Sequence, residues 1–376
     1  KYPCNYGYGS DEFSIIKLEG ESKVFSRVNY YSLLGENLDK YYNNKEITEH
    51  IKLQLREELS ILIVLNTKTA VANLYKYLSE DTELIEEDVE IIYLTTNQCP
   101  QHRLQIINNT KNRLKKLRNF EDTRRIICIS TKLVEAGVDI DFDIVYRSLA
   151  GIDSVIQCGG RCNREGKKID RGKLFVFKCE DENLRYLADI RKQREAAETA
   201  LKVVFNEEIK DVRINIEKAS DYYFHKLYLN EEAQGKYLEY PLDDGETILN
   251  LLTNNPKGVE NYIAKQGERP YFKLRQSFKT AAMEFDLIKE NTISIIVQYK
   301  NEEIIERLYE AIECNDYYNV KKELRNLQPY AISIRRAAEY ENYITKELDG
   351  EILILSKEAY DEKIGLTKGE LQSLIF

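Results

Sequence analysis

A chain of 376 residues with 43% apolar and 32% charged side chains has enough material for two folded domains and is neither fibrous nor disordered in composition. A net charge of −9 argues against a protein coated in positive charge for nonspecific nucleic-acid binding, but leaves room for a local basic channel.

The first two thirds alternate strand and helix. "KVFSRVNYY" (23–31) reads as a strand, and a polar helix is expected at about 45–58. "SILIVL" (60–65) is a short continuous apolar run, the signature of a buried parallel strand. Residues 67–79 have helical spacing at Ala70, Leu74, Tyr77 and Leu78, and "VEIIYL" (89–94) is a further strand. Pro100 suits a first helical turn, with the helix running to about Leu117. "RRIICIS" (124–130), "FDIVYRS" (142–148) and "GKLFVFK" (172–178) are three more strands. The order predicts an α/β fold: a parallel sheet with helices on both faces, binding ligands beyond the carboxyl ends of its strands. Asn66, Thr95, Thr96 and Thr131 fall just after strands.

Residues 1–180 are expected to form this lobe, and a charged helix at about 181–204 within a 181–214 segment reads as a linker. Residues 215–376 read as a smaller α+β domain. Its strands are expected at 293–299, 330–336 and 351–356, with helices near 273–285, 301–313 and 316–326.

Two stretches are strongly charged. Residues 80–90 hold seven acids and no base, whereas 103–125 carry Arg103, Lys111, Arg113, Lys115, Lys116, Arg118, Arg124 and Arg125 against Glu121 and Asp122. Two solvated helix faces account for both; for part of the basic run a phosphate-facing patch is the sharper reading. The seven Cys include no CxxC pair, and Cys158 and Cys162 lack a second pair at zinc spacing. The expectation is free thiols in a reducing cytoplasm and no metal site. Runs such as "ILIVL" (61–65) are too short to cross a membrane. No signal peptide is visible, and a chain opening on Lys1 reads as a piece of something longer or a trimmed one.

Placed on a helix, "DSVIQCGGRCNR" sets Gln157, Gly160 with Arg161, and Arg164 along one face. Glycine is costly inside a helix, by about 1 kcal/mol against alanine, so Gly159 and Gly160 need a reason. Paired guanidinium forks suit a phosphate chain, and close-approach glycines suit a ligand. The competing reading is an arginine pair bridging to Glu135 or Asp139.

"STKLVEAGVDID" followed by Q-x-x-G-R-x-x-R resembles the fifth and sixth motifs of superfamily 2 helicases. "LIVLNTKTAVANLY" (62–75) resembles their fourth. With "YLTTNQCPQHR" (93–103) and "ERPYFKLRQSFKTAAMEF", the chain resembles the CRISPR-associated helicase-nuclease of type I systems, strongest over 60–180. The resemblance implies a second RecA-like lobe and a C-terminal accessory domain. It implies Arg164 as an arginine finger with Arg161 as its partner. Gln157, Gly137, Asp139 and Gly160 would stand at the nucleotide. ATP with Mg2+ is the implied cofactor, its magnesium ligands on a first lobe.

It also implies single-stranded DNA, followed from 3′ to 5′, across Asn66, Thr67, Thr95, Thr96, Arg103, Ser130 and Thr131. For Thr67 and Thr131 helix capping is an equal expectation. Arg275, Gln276 and Lys279 are weaker candidates in a lid. The implied partners are a P-loop lobe, a metal nuclease domain and a CRISPR RNA-guided surveillance complex. No P-loop or histidine-aspartate cluster is found: Gly160–Lys168 has the wrong spacing, and "DEF" (11–13) follows no apolar strand. Alone, the chain is expected neither to hydrolyse ATP nor to cut DNA. Another superfamily 2 motor and a non-catalytic RecA-like module are the alternatives.

Overall fold

In the computed structural model, residues 27–166, 171–207, 213–228, 240–242, 245–271, 275–285, 292–334 and 337–367 are described. Of the stretches expected from sequence, 11–13, 23–26, 167–168, 208–212, 273–274 and 335–336 lie outside them.

Six strands make one parallel sheet: β1 (Val28–Ser32), β2 (Ser60–Leu65), β3 (Glu90–Leu94), β4 (Ile126–Thr131), β5 (Ile144–Ser148) and β6 (Gly172–Phe177), in the order β1-β6-β5-β2-β4-β3. Every residue of β2 and β5 is buried, because both are central strands covered on two faces. Alternation divides their side chains. Leu62, Val64 and Val145 enter one apolar core, and Ile61, Ile63, Leu65 and Ile144 the other.

The helices have local causes. Helix α1 (Asn44–Leu55) starts on a capping box, Asn43 with Glu46. Helix α2 (Lys68–Ser79) is capped by the Thr67 side chain, and the short α3 (Thr82–Glu86) by Asp81. Helix α4 (Pro100–Arg118) opens on proline and closes on Lys115, Lys116 and Arg118, which favour the negative end of its dipole. Helices α1 and α2 cover one face of the sheet. Helix α5 (Ile152–Gly159), α6 (Ala188–Glu207) and α7 (Ile216–Tyr228) cover the other.

Helix α6 starts at Ala188, seven residues later than expected. It packs through Ala196, Ala197, Ala200, Leu201 and Val204 into the core shared with the sheet.

A second sheet joins β7 (Ile293–Ile296), β8 (Ala331–Ile334), β9 (Ile344–Glu347) and β10 (Ile352–Leu355) in the order β8-β7-β10-β9. Helices at Glu302–Glu313 and Tyr317–Leu327 pack on it around Leu308 and Leu327. Its other core reaches the first sheet's segment through Cys99, Tyr299 and Tyr360.

Candidate functional site

Helix α5 ends at Gly159, with Gly160 as its C-cap, so the helical face expected to run from Gln157 to Arg164 does not exist as a helix. Beyond Gly160 the chain closes successive turns, Arg161 N–H donating to Cys158 O and Cys162 N–H to Gly159 O. Then Cys162 bridges in parallel to Phe142, and Asn163 adopts φ +46°. The bonds of that bridge, Phe142 N–H to Arg161 O and Asn163 N–H to Phe142 O, with a breaker pair at the helix terminus, outweigh helical propagation.

The arginines still converge, through a loop instead of a helix stripe. Arg161 is buried; its Nε donates to Val134 O at 2.8 Å and its Nη2 to Glu135 O at 2.7 Å. Burial, and then Arg164, pull its pKa down. Arg164 reaches the same loop further on, with Nη1 donating to Val138 O at 3.3 Å and lying 3.5 Å from Asp139 Oδ1. Its side chain keeps 41% of its exposure, enough to meet a second ligand.

Asp139 also pairs with Lys111 Nζ. Lys111 first, then Arg164 and Arg161, hold its carboxyl below the usual range. Gly137, between the arginine contacts, has φ +73°, a conformation that disfavours a side chain, and the space its Cβ would take is open. Gln157 is exposed.

Gly159 has a packing reason. A Cβ there would sit 2.3 Å from Tyr30 Oη. A cleft of about 710 Å³ opens beside this loop, lined by Lys111, Lys115, Arg118, Asp139, Asp141 and Arg164. Asp141 fixes the arginine segment from below. Its carboxylate accepts from the backbone N–H of Arg164 at 2.8 Å and of Glu165 at 3.1 Å, and pairs with Arg118 Nη2 at 2.8 Å.

Sequence reasoning missed the strongest buried electrostatics. Arg147, 1% exposed at the end of β5, pairs with Glu135 Oε1 at 2.9 Å through Nη2. It also donates to Ser154 Oγ at 2.8 and 3.0 Å, to Ser148 O at 2.7 Å and to Asn66 Oδ1 at 2.8 Å. It thus ties β2, β5, α5 and the 134–139 loop together. A charge at the end of the apolar stretch Ile144–Tyr146 was the available signal.

The residues expected at DNA divide. Asn66 is half-buried, and its side chain donates to Leu149 O at 3.2 Å and to Glu182 Oε2 at 2.8 Å. Thr67 Oγ1 accepts from Ala70 N–H at 3.2 Å, which is capping. Thr95 and Ser130 are fully buried. Thr95 Oγ1 lies 3.2 Å from Tyr93 Oη, and Ser130 Oγ donates to Leu94 O at 2.6 Å. Thr96 is exposed, and Thr131 half-buried before a 3-10 turn it does not cap. Arg103 Nη1 donates to Gln98 O at 2.6 Å, and burial lowers its pKa.

Residues 97–105 form a socket for the C-terminal part. Gln98 Nε2 donates to Lys363 O at 2.7 Å, Leu366 N–H to Asn97 O at 2.8 Å and Cys99 N–H to Tyr360 Oη at 2.9 Å. Tyr360 Oη lies 2.9 Å from His102 Nδ1, and His102 stacks on Tyr299 with ring centroids 4.1 Å apart. No helix among the described residues is long and apolar enough to cross a membrane.

A six-stranded parallel sheet with helices on both faces is a RecA-like lobe. Residues 57–167 match the family model described as CRISPR-associated nuclease/helicase Cas3, C-terminal. A CRISPR-associated nuclease/helicase Cas3 of Methanothermobacter thermautotrophicus is 31% identical over 112 residues, which cover 30% of this chain and 12% of that protein.

Among solved structures, T. fusca Cas3 with ATP aligns over 91% of this chain and 41% of its own, with a TM-score of 0.52 and 16% identity. A chain of a CRISPR RNA-guided surveillance complex, pre-nicking, aligns over 91% of this chain and 43% of its own, with a TM-score of 0.50 and 14% identity. At such identities the structural likeness is one of fold. The chain spans less than half the length of these proteins. The family model and the curated relative thus match Cas3 over part of this chain, and the solved structures share its fold.

Proposed function

We propose that this chain is the second RecA-like lobe (1–180), connecting segment (181–214) and accessory domain (215–376) of an ATP-dependent single-stranded DNA translocase. It would act in CRISPR antiviral defence, unwinding target DNA for an associated nuclease domain. One observation carries the reading: Arg161 and Arg164 converge on the 134–139 loop, with Arg164 and Asp139 exposed.

ATP is the substrate, set between this lobe and a P-loop lobe that would also hold Mg2+. Arg164, anchored on Val138 O, presents a planar fork to the phosphates and stabilises charge as the phosphoryl group transfers. Arg161, bound to two loop carbonyls, holds that loop in place and adds positive field. Asp139 accepts from a ribose hydroxyl, Gly137 leaves its backbone open to the nucleotide, and Gln157 borders it beside Gly160. Lobe closure completes the site, so hydrolysis is coupled to lobe movement.

Backbone phosphates of DNA would pass the ends of β2, β3 and β4, touching Asn66, Thr67, Thr96 and Thr131. Thr95 and Ser130 shape the strand ends beneath, and Arg103 adds charge. Such contacts are blind to sequence. Arg275, Gln276 and Lys279 would lie in the lid.

The test is ATP hydrolysis by the helicase in which a P-loop lobe accompanies this chain. The reading expects turnover to rise with single-stranded DNA. Turnover indifferent to it would favour a RecA-like module without motor activity.

A further inference from the structure

The turn after β6 carries three consecutive acids, Glu180, Asp181 and Glu182. Two of them are seated on donors. Glu182 accepts from the backbone N–H of Asn66, from Asn66 Nδ2 at 2.8 Å and from Ser148 Oγ at 2.8 Å. Asp181 Oδ2 accepts from Asn44 Nδ2 on α1 at 2.9 Å and from Asn73 Nδ2 on α2 at 3.0 Å.

The Asn66 amide is aimed by the buried network. Arg147, which can only donate, takes Asn66 Oδ1 at 2.8 Å and so turns Nδ2 toward Glu182. The Glu182 seat, an amide, a backbone N–H and a hydroxyl, lies at the carboxyl ends of β2 and β5, where open parallel sheets receive ligands, and the Asp181 seat is a pair of amides on α1 and α2. Such donors bind a carboxylate and a phosphate oxygen by the same charge-assisted hydrogen bonds.

We propose that Asn44, Asn66, Asn73 and Ser148 form a binding row for the backbone phosphates of single-stranded DNA, filled in this structure by the carboxylates of Asp181 and Glu182. The proposal rests on the nucleic-acid reading above and extends it to Asn44, Asn73 and Ser148.

The acidic turn is anchored by backbone. Tyr42 N–H donates to Lys178 O at 2.8 Å, and Glu180 N–H donates to Tyr42 O at 3.0 Å. Only the side chains need to swing for DNA to enter. A tethered carboxylate competes at an effective concentration of the order of millimolar, so it sets a threshold that a run of phosphates passes and an isolated anion does not.

The experiment is fluorescence anisotropy of a labelled oligothymidylate with the 376-residue chain, at low salt because phosphate contacts weaken steeply with ionic strength. The variants are Glu182→Ala, Glu182→Gln and Asp181→Asn. Glu180→Gln serves as a charge control, since it removes the same charge from the same turn.

Glu182→Ala is expected to bind about tenfold more tightly than wild type, Asp181→Asn several-fold more tightly, and Glu180→Gln less than about twofold. Adding Ser148→Ala to Glu182→Ala should take back part of that variant's gain, and adding Asn44→Ala and Asn73→Ala to Asp181→Asn should take back the gain there. Glu182→Gln keeps the side-chain volume and covers the case in which the alanine variant misfolds. Binding by wild type that Glu182→Ala and Glu182→Gln leave unchanged, or change no more than Glu180→Gln, would overturn the seat while leaving the DNA reading standing. No binding by wild type or any folded variant would overturn both.

Discussion

Arg147 shows how much one side chain settles. A buried guanidinium is tolerable only when its donors are used, and here they meet Glu135, Ser154, Ser148 and Asn66. Removing one partner of such a pair costs about 3–5 kcal/mol, whereas replacing both by apolar groups costs much less. Arg147→Ala should therefore lower unfolding stability by about 3–5 kcal/mol in urea titrations. The double change Arg147→Met with Glu135→Leu should recover most of it. A single variant as stable as wild type would contradict the network.

The adjacent glycines separate in the same way. Gly159→Ala drives a Cβ into Tyr30, with Oη at 2.3 Å and a ring carbon at 3.0 Å. It should cost about 1–3 kcal/mol, as overpacking does. Gly160 is exposed with its Cβ direction 3.2 Å from Gln157 O, so Gly160→Ala should be far milder in the same melts. Arg161, Arg164 and Asp139 were legible as a pattern of residue types. Arg147 and Glu182 were not, because their meaning depends on what lies across the sheet, which spacing does not reveal.

The sheet was the most legible of the elements. Central parallel strands are buried on both faces and therefore read as unbroken apolar runs, as in "ILIVL" (61–65) and "IICI" (126–129). The end of α5 was misread because Gly159 and Gly160 were assigned to a ligand when they also stop a helix. The segment after β3 was read as a DNA contact, and the structure gives its 97–105 part a second task, as the socket for the hairpin at 360–366. Nothing local announces that partner, some 260 residues away.

His102 makes this docking pH-dependent. Cys99 N–H donates to Tyr360 Oη, which leaves the phenol hydrogen for an unprotonated His102 Nδ1. Burial above all, with Lys300 adding to it and the Glu362 backbone opposing it, pushes the His102 pKa down to about 4 from an ordinary 6.5. A depressed histidine favours the neutral form in the folded state. Its contribution is thus complete above about pH 6.5 and is lost as pH falls toward 4. Hydrogen exchange of residues 360–366 should quicken between pH 6.5 and 4 relative to intrinsic rates, and His102→Asn should flatten that change. Equal pH profiles in both proteins would contradict the assignment.

At the scale of the molecule, two apolar cores sandwich the six-stranded sheet and a second sheet docks at the far end of β3. Helix α6, in the segment that reads as a charged connector, and α7, the first helix of the 215–376 part, complete one of those cores, so both help seal the lobe. The arginine segment bonds to residues at the amino ends of β5 and β6; under the proposal a second lobe would complete a nucleotide site beside it, and a strand of DNA would cross the carboxyl ends of β2, β3 and β4.

The central claim is that Arg164 acts on phosphate. Single-stranded DNA-stimulated ATP turnover, measured for the helicase containing this chain and for its Arg164→Ala and Arg164→Lys versions, tests it most directly. Loss of a finger costs about 10³-fold or more, so Arg164→Ala should fall by that factor with its melting curve unchanged. Lysine, lacking the planar fork, should restore little. Turnover within about twofold of wild type in a folded Arg164→Ala protein, against the loss of about 10³-fold expected, would make the pair with Asp139 structural and remove the main support for the motor.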